Sequence, residues 1–343
     1  MTNFTRRRWI AAASAVAAAS TIPPDRGSAA NPRQQAAPLP QPLPPDVYRD
    51  RQAKLRAGAK SRGWDVLLVT PSTNLAYSCG LSMPRSERLT ALILLVDGPA
   101  VLVTPSFEES NVTRDATFDE VKTWQEDQDP IALAAKLFAK KAVGVEGSTA
   151  YSTASLLGAA AGARTEDATA VFDALRRVKS EQEFAFIKEA GRRTVAAISA
   201  THEKLQAGMT ERDVQQILSQ EFSRLGVSGD GLVQFGSSTS LPHGGPRDRE
   251  LAKGDAVLID CGCRVRGYTS DVTRTVAFGA PSDEFRKVYG IVHRAQTAGI
   301  EALAAGKSGE DVDRAARKLI ETSGYGAYFT HRLGHGLGMD GHE

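Results

Sequence analysis

From residue 46 onward, apolar and polar positions follow two rhythms. "DVYRDRQAKLRAGAKSRG" (46–63) repeats its apolar residues at helical spacing, and "WDVLLVT" (64–70) is a short apolar run that reads as a buried strand. "LTALILLVDGPAVLVTP" holds two apolar runs around Asp97-Gly98, the pattern of a β-hairpin. "VKTWQ" and "KAVGVE" predict further strands, with "PIALAAKLFAKK" (130–141) a helix between them. These elements make an α/β layer. From Val171 the character changes. A long helical region runs to Gly208, and a second helix begins after a capping Thr210. "GDGLVQFGSS", "DAVLIDCGCRVRGYTSDVTRTVAFG" and the terminal segment predict strands, while 281–306 and 308–324 predict two more helices. The second part therefore reads as α+β.

Composition is ordinary for a globular chain, with 41% apolar and 24% charged residues among 343. The net charge of +2 owes its sign to residues 1–30. Without their four arginines and one aspartate, 38 basic and 39 acidic residues remain, a net of −1. That balance excludes a polyanion-binding surface, so nucleic acid is not an expected partner. Residues 1–30 read as a targeting segment: "TRRRWI" is followed by a modest apolar run, then by Ser28 and Ala30 as small residues for a signal peptidase. This resembles a twin-arginine export signal, and implies a periplasmic or secreted protein delivered already folded. The apolar run is too short and alanine-rich for a stable membrane span. Residues 31–45 are proline-rich and predict an extended tether. Cys79, Cys261 and Cys263 form no disulfide framework; the last two share one strand face and read as small buried residues.

The stretch most suggestive of chemistry is "GDAVLIDCGCRVRGYTSDVTRT". Folded as a hairpin with its turn centred between Val265 and Arg266, it sets Asp260 directly across from Asp271. Two unpaired carboxylates at that spacing cost several kcal/mol if buried, and a divalent cation between them relieves that cost. An ion-pair network with Arg264, Arg266 and Arg274 is the competing reading. Six histidines occur in the chain, and His331, His335 and His342 lie within its last thirteen residues. Their spacing suits one helix face, yet Gly334, Gly336, Gly338 and Gly341 oppose a helix at about 1 kcal/mol each. A strand or loop with close backbone approach is expected. His243 sits in a rigid "LPHGGP" loop, while His202 and His293 fall in helical patterns.

Together these segments resemble the pita-bread metallopeptidases, in the Xaa-Pro aminopeptidase and prolidase branch. "LRRVKSEQEFAFIKEA" is similar to the helix opening the catalytic domain of that family. "PHGGP", "GDAVLIDCGCRVRGYTSDVTRT" and "HRLGHGLGMDGHE" match its site motifs in order, and "NLAYSCG" with the following hairpin resembles the creatinase-type N-terminal domain. The resemblance implies an α/β N-terminal domain (46–170) followed by an α+β pita-bread catalytic domain (171–343). It implies Asp260, Asp271 and His335 as metal ligands, with Asp271 bridging two ions, and His243, His331 and His342 as catalytic residues placing substrate and moving protons. The implied cofactor is a pair of divalent ions, manganese or cobalt ahead of zinc. The implied reaction is hydrolysis, by an activated water, of the bond preceding proline in peptides carrying proline at the second position. A homodimer or higher homo-oligomer is implied too.

In this family two further glutamates, downstream of the "HE" motif, complete the metal site. Glu343 matches the glutamate of "HE" and is not itself a ligand. The last strands are therefore expected to be missing from a truncated record, and the 343-residue polypeptide to bind two metals poorly and hydrolyse little. A metal-free pita-bread peptide- or protein-binding module and a creatinase-like amidinohydrolase are the alternatives, and retained aspartates weigh against both. A mononuclear iron site from Asp260, Asp271 and His335 fits by count but ignores the order of motifs.

Overall fold

The computed structural model of the chain describes residues 38–112, 116–242, 244 and 248–343. The segment read as an export signal, most of the proline-rich stretch and His243 lie outside the described residues. Of the expected tether, residues 38–44 do not hang free. Leu39 and Leu43 pack on the core of the second layer, and the Pro40 carbonyl accepts a hydrogen bond from Arg266 Nε at 2.9 Å.

Helix α1 (Pro45–Ser61) opens on a proline, which suits a first-turn position where the N–H has no helical partner. There follow β1 (Val66–Val69), α2 (Thr73–Cys79), β2 (Ala91–Leu95), β3 (Ala100–Pro105), α3 (Glu109–Val112), β4 (Glu120–Trp124), α4 (Pro130–Ala135), β5 (Ala142–Val145), α5 (Tyr151–Ala161) and β6 (Arg164–Asp167). The six strands form one mixed sheet in the order β4-β3-β2-β1-β5-β6. Strand β1 pairs antiparallel with β2 and parallel with β5. Its four residues are all buried because alternate side chains enter different cores, Leu67 and Val69 on one face and Val66 and Leu68 on the other. Helix α4 ends earlier than its apolar pattern suggests, tightening into a 3₁₀ turn that buries Phe138.

Helix α6 (Thr169–Arg176) still packs on α1, with Val171 and Phe172 in the first layer's core, and the second layer comprises α7 (Glu181–His202), α8 (Glu211–Arg224), β7 (Gly229–Phe235), β8 (Ala256–Val265), β9 (Tyr268–Thr269), β10 (Val272–Ala277), α9 (Asp283–Ala302) and α10 (Gly309–Thr322). The helical stretch expected to continue from 171 to 208 is two helices. Ser180 breaks it, its hydroxyl accepting from Glu183 N while the Glu183 carboxylate accepts from Ser180 N. This capping box starts a new helix in place of continuing the old one. The strands lie in the order β10-β8-β7, with β9 also on β8. Along β8 the buried residues Val257, Ile259, Cys261, Cys263 and Val265 alternate with Asp260, Gly262 and Arg264, so one face joins the core and the other is left for chemistry. The three cysteines are free and buried, as expected. The terminal segment, by contrast, contributes no strand. After a 3₁₀ turn at Gly326–Tyr328 it is irregular chain to residue 343.

Buried polar contacts tie the layers together. Arg51 of α1 donates to Glu183 Oε1 and to the Tyr268 hydroxyl, both at 2.8 Å, and Tyr268 donates to Glu183 at 2.6 Å. Arg51 also lies 4.0 Å from the Tyr77 ring centroid. Losing one partner of such a buried pair strands the other, at a cost of about 3–5 kcal/mol.

His202, in the last turn of α7, is half-buried, with its Nε2 enclosed. Its Nε2 has no partner among the described residues, and burial, aided by the charge of Arg274, lowers its pKa from 6.5 to about 4. The unfolded chain takes up this proton at higher pH than the folded one does. Stability tied to His202 is therefore complete above about pH 6.5 and is lost as pH falls towards 4. We expect urea midpoints to decline across that window, and the His202→Leu variant to show a flatter profile over the same range.

Candidate functional site

The site is built on the β8–β10 hairpin. Its turn is Arg266-Gly267, with φ of 52° and 86°, the two-residue loop whose handedness matches strand twist. Val265 pairs with Tyr268, Cys261 with Val272 and Asp260 with Thr273. The turn expected between Val265 and Arg266 is thus displaced by one residue, and Asp260 does not face Asp271. The reason is steric: the expected turn would put the β-branched Val265 at positive φ, whereas the observed one gives that conformation to Gly267. Asp271 lies two positions from the true partner of Asp260. Because strand faces repeat every two residues, both carboxylates still share one face.

Backbone packing around Gly262 directs them. Between β9 and β10 the chain passes so close that a Cβ on Gly262 would sit 1.9 Å from the Ser270 carbonyl oxygen. The Ser270 side chain turns into the core, where its hydroxyl meets Thr194 Oγ1 at 2.7 Å and accepts from Cys263 N at 3.0 Å. Its neighbour Asp271 consequently points the other way. There, burial and the adjacent Asp260 carboxylate raise the Asp271 pKa, while His335 and His342 oppose the rise. Asp260 Oδ1 accepts from Thr273 Oγ1 at 2.7 Å.

The terminal segment brings two of its histidines here. His335 Nε2 lies 3.4 Å from Asp271 Oδ2, and His335 Nδ1 lies 3.0 Å from the Gly336 carbonyl. With the proton on Nδ1, that contact is a hydrogen bond and Nε2 presents its lone pair to the carboxylates. The His342 ring packs 4.0 Å from that of His335, with Arg332 Nη2 at 3.4 Å from His342 Nδ1. His331 stands apart, its ring against Phe329 at 5.2 Å and near Asp313 of α10. His243 lies outside the described residues. A cavity of about 480 Å³ opens over the hairpin, lined by Asp230, Asp260, Gly262, Asp271 and Gly341 among others. Asp230 is a third carboxylate that the sequence reading passed over. It sits on β7 opposite Gly262, and its only signal is its place between two glycines before an apolar strand.

Asp260, Asp271 and His335 thus offer two oxygen donors and one nitrogen donor, a set suited to a divalent ion. Among the described residues, no three His, Cys, Asp or Glu side chains already stand in metal-binding geometry. Asp260 engages Thr273 instead, and a shift of its carboxylate would be needed to close the set.

Metallopeptidase family M24 matches residues 185–343, and the creatinase/prolidase N-terminal domain matches residues 51–178. Uncharacterized peptidases of Staphylococcus haemolyticus and Staphylococcus aureus are each 35% identical over 282 residues, covering 81% of this chain and 80% of theirs. The chain belongs to metallopeptidase family M24. Among solved structures it is similar to dipeptidase PepE from Mycobacterium ulcerans, at 31% identity and a TM-score of 0.82 over 88% of this chain and 84% of that one. It is also similar to the prolidase from Thermococcus sibiricus, at 30% and 0.80 over 86% and 83%, and to the Xaa-Pro dipeptidase from Bacillus anthracis, at 28% and 0.78 over the same shares. The M24 match contains Asp260, Asp271, His335 and His342, so the acceptors gathered on the hairpin lie within the peptidase domain. No helix among the described residues is long and apolar enough to cross a membrane.

The Gly262→Ala variant tests how far this M24 hairpin depends on close backbone approach. The added methyl must push Ser270 away, so we expect a loss of about 1–3 kcal/mol in urea unfolding. The Asp271 pKa, followed by NMR titration, should fall towards the ordinary carboxylate value as the aspartates separate.

Proposed function

We propose that the protein cleaves the peptide bond before proline next to a free N-terminus, as an Xaa-Pro aminopeptidase or dipeptidase. In this reading Asp260, Asp271 and His335 supply part of the ligand set of two divalent cations, which the family completes with two further glutamates, with manganese first and cobalt or zinc as alternatives. The observation that carries it is the convergence of the Asp260 and Asp271 carboxylates with the His335 imidazole beside one hairpin face. Such a cluster calls for positive charge. Divalent cations bound there supply Lewis acidity, which lowers the pKa of water and polarises a carbonyl.

The chain's own residues do the rest. Asp260 and Asp271 provide negative charge on a strand pair that cannot spread, because Ser270 is anchored in the core behind them. The Gly336 carbonyl orients the His335 ring, and His342 stands beside it as a group able to carry a proton near the cavity. An Xaa-Pro bond has no N–H to offer, so a protease that grips an extended backbone handles it badly and a dedicated site is required. Asp230, on the cavity wall, adds negative charge where a substrate ammonium can approach. The prolidase and Xaa-Pro dipeptidase among the structural neighbours agree with this choice of bond. The retained aspartates and His335 weigh against a metal-free binding module. Export by the twin-arginine route and a homo-oligomeric state belong to the same reading.

The test uses the full-length protein on Ala-Pro and Ala-Pro-Ala. We expect cleavage in the presence of manganese, loss with chelator, and recovery on adding metal back. Asp271→Ala should lower both bound metal, measured by elemental analysis, and kcat/KM by at least about 100-fold. Unchanged metal content and turnover in that variant would overturn the proposal.

A further inference from the structure

A connected line of partly buried polar contacts runs from the N-terminal sheet to the loop that carries His335 and His342. It begins at Glu146, just beyond β5 and 2% exposed. Glu146 Oε1 accepts from Asn74 Nδ2 at 2.8 Å, and Oε2 accepts from Ser148 Oγ at 2.7 Å. The other end of the Asn74 amide accepts from Arg176 Nη1 at 2.7 Å. Arg176 Nη2 then donates to Asp340 Oδ2 at 2.6 Å and to the Glu343 carboxylate. Thr73, beside Asn74 on α2, donates to the second oxygen of Asp340 at 2.6 Å. Lys179 holds Glu343 from the other side at 2.8 Å.

The loop receives these contacts on a surface it has shaped for them. Glu343 Oε1 accepts from Met339 N at 2.9 Å and Asp340 N at 3.2 Å, closing residues 339–343 on themselves. A Cβ on Gly338 would meet Glu343 Oε2 at 2.1 Å, so a larger residue there would have to displace that carboxylate. On its far side the same loop is fixed to the hairpin, with Thr269 N donating to Gly338 O at 2.8 Å and Arg264 Nη1 to Met339 O at 2.5 Å. It is held from two directions, by the catalytic hairpin and by the N-terminal layer, and His335 and His342 flank the clasped residues.

We propose that Asn74 and Arg176 are positioning residues for catalysis, so that the N-terminal layer sets where His335 and His342 stand over the acidic pair. The inference rests on the Xaa-Pro peptidase reading for its kinetic consequence, though not for its geometry. The planar fork of Arg176 fixes direction as well as charge, which a lysine cannot do. Asn74 can serve Arg176 and Glu146 together only in one amide orientation, and this makes the line specific to its members.

The experiment uses the full-length protein with Asn74→Ala, Arg176→Lys and the double variant, assayed on Ala-Pro-Ala with manganese. We expect kcat to fall about ten-fold in each single variant while KM moves less than roughly two-fold, and the double variant to be no worse than the poorer single one. Hydrogen exchange, measured in parallel, should quicken across residues 336–343 in Asn74→Ala while the hairpin 256–277 keeps its protection. Should Asn74→Ala not fold, Thr73→Val removes the hydroxyl contact to Asp340 with little change of shape and is read in the same way. Unchanged kcat with unchanged loop exchange overturns the proposal, as does exchange that quickens evenly over the whole second layer. If the unaltered protein cleaves no Xaa-Pro peptide, the proposed function fails, and the exchange pattern alone then decides the positioning role.

Discussion

Two carboxylates and an imidazole crowded at one hairpin face govern the architecture around the second sheet. Asp260, Asp271 and the Nε2 of His335 meet on one hairpin face. Two like charges about 4 Å apart at a protein surface repel by about 4 kcal/mol, against a typical net stability of 5–15 kcal/mol. A fold does not keep such an arrangement unless something prevents escape and something positive offsets it. The prevention is visible: Ser270 is buried behind Asp271, and Gly262 lets the strands close tightly. The offset is a proton or a cation, and burial together with the Asp260 charge raises the Asp271 pKa.

Rigidity reaches the site from both layers. On the core side, alternate residues of β8 pack against α7, so the hairpin moves only if the second layer moves with it. On the outer side, the terminal loop has no secondary structure of its own and takes its shape from contacts: glycines where carboxylate and backbone crowd together, Met339 in the core, and salt links to Arg176 and Lys179. The buried set of Arg51, Glu183 and Tyr268 fastens the layers at a second point. A creatinase-type domain placed ahead of an M24 domain is therefore more than an addition to the chain here, because Thr73 of its α2 reaches the loop that bears the histidines and Glu146 beyond β5 holds the neighbouring Asn74.

Membership of family M24 does not choose the chemistry, since one fold hosts catalysts and binding modules alike. What separates the possibilities is the side chains left on the uncovered hairpin face. A scaffold released from catalysis has no reason to keep neighbouring acids at that cost, and this chain keeps them with the His335 imidazole beside them.

Much of this was legible beforehand. The period-two alternation of β8, the apolar runs of β1 to β3, the caps at Thr210 and the motif order depend on neighbours close in sequence, so the chain alone determined the two-layer class and the acidic hairpin. The hairpin register was misjudged because one residue of turn placement is decided by which side chain tolerates positive φ. The break at Ser180 was missed because a capping box competes locally with a pattern that otherwise reads as continuous helix. Which histidines approach the acids was decided by tertiary structure alone: His335 and His342 do, while His331 faces Phe329 and Asp313. Their loop has no periodicity from which to infer direction, and its course is set by Asn74, Arg176 and Glu343, residues up to 269 positions apart that meet only once both layers have packed.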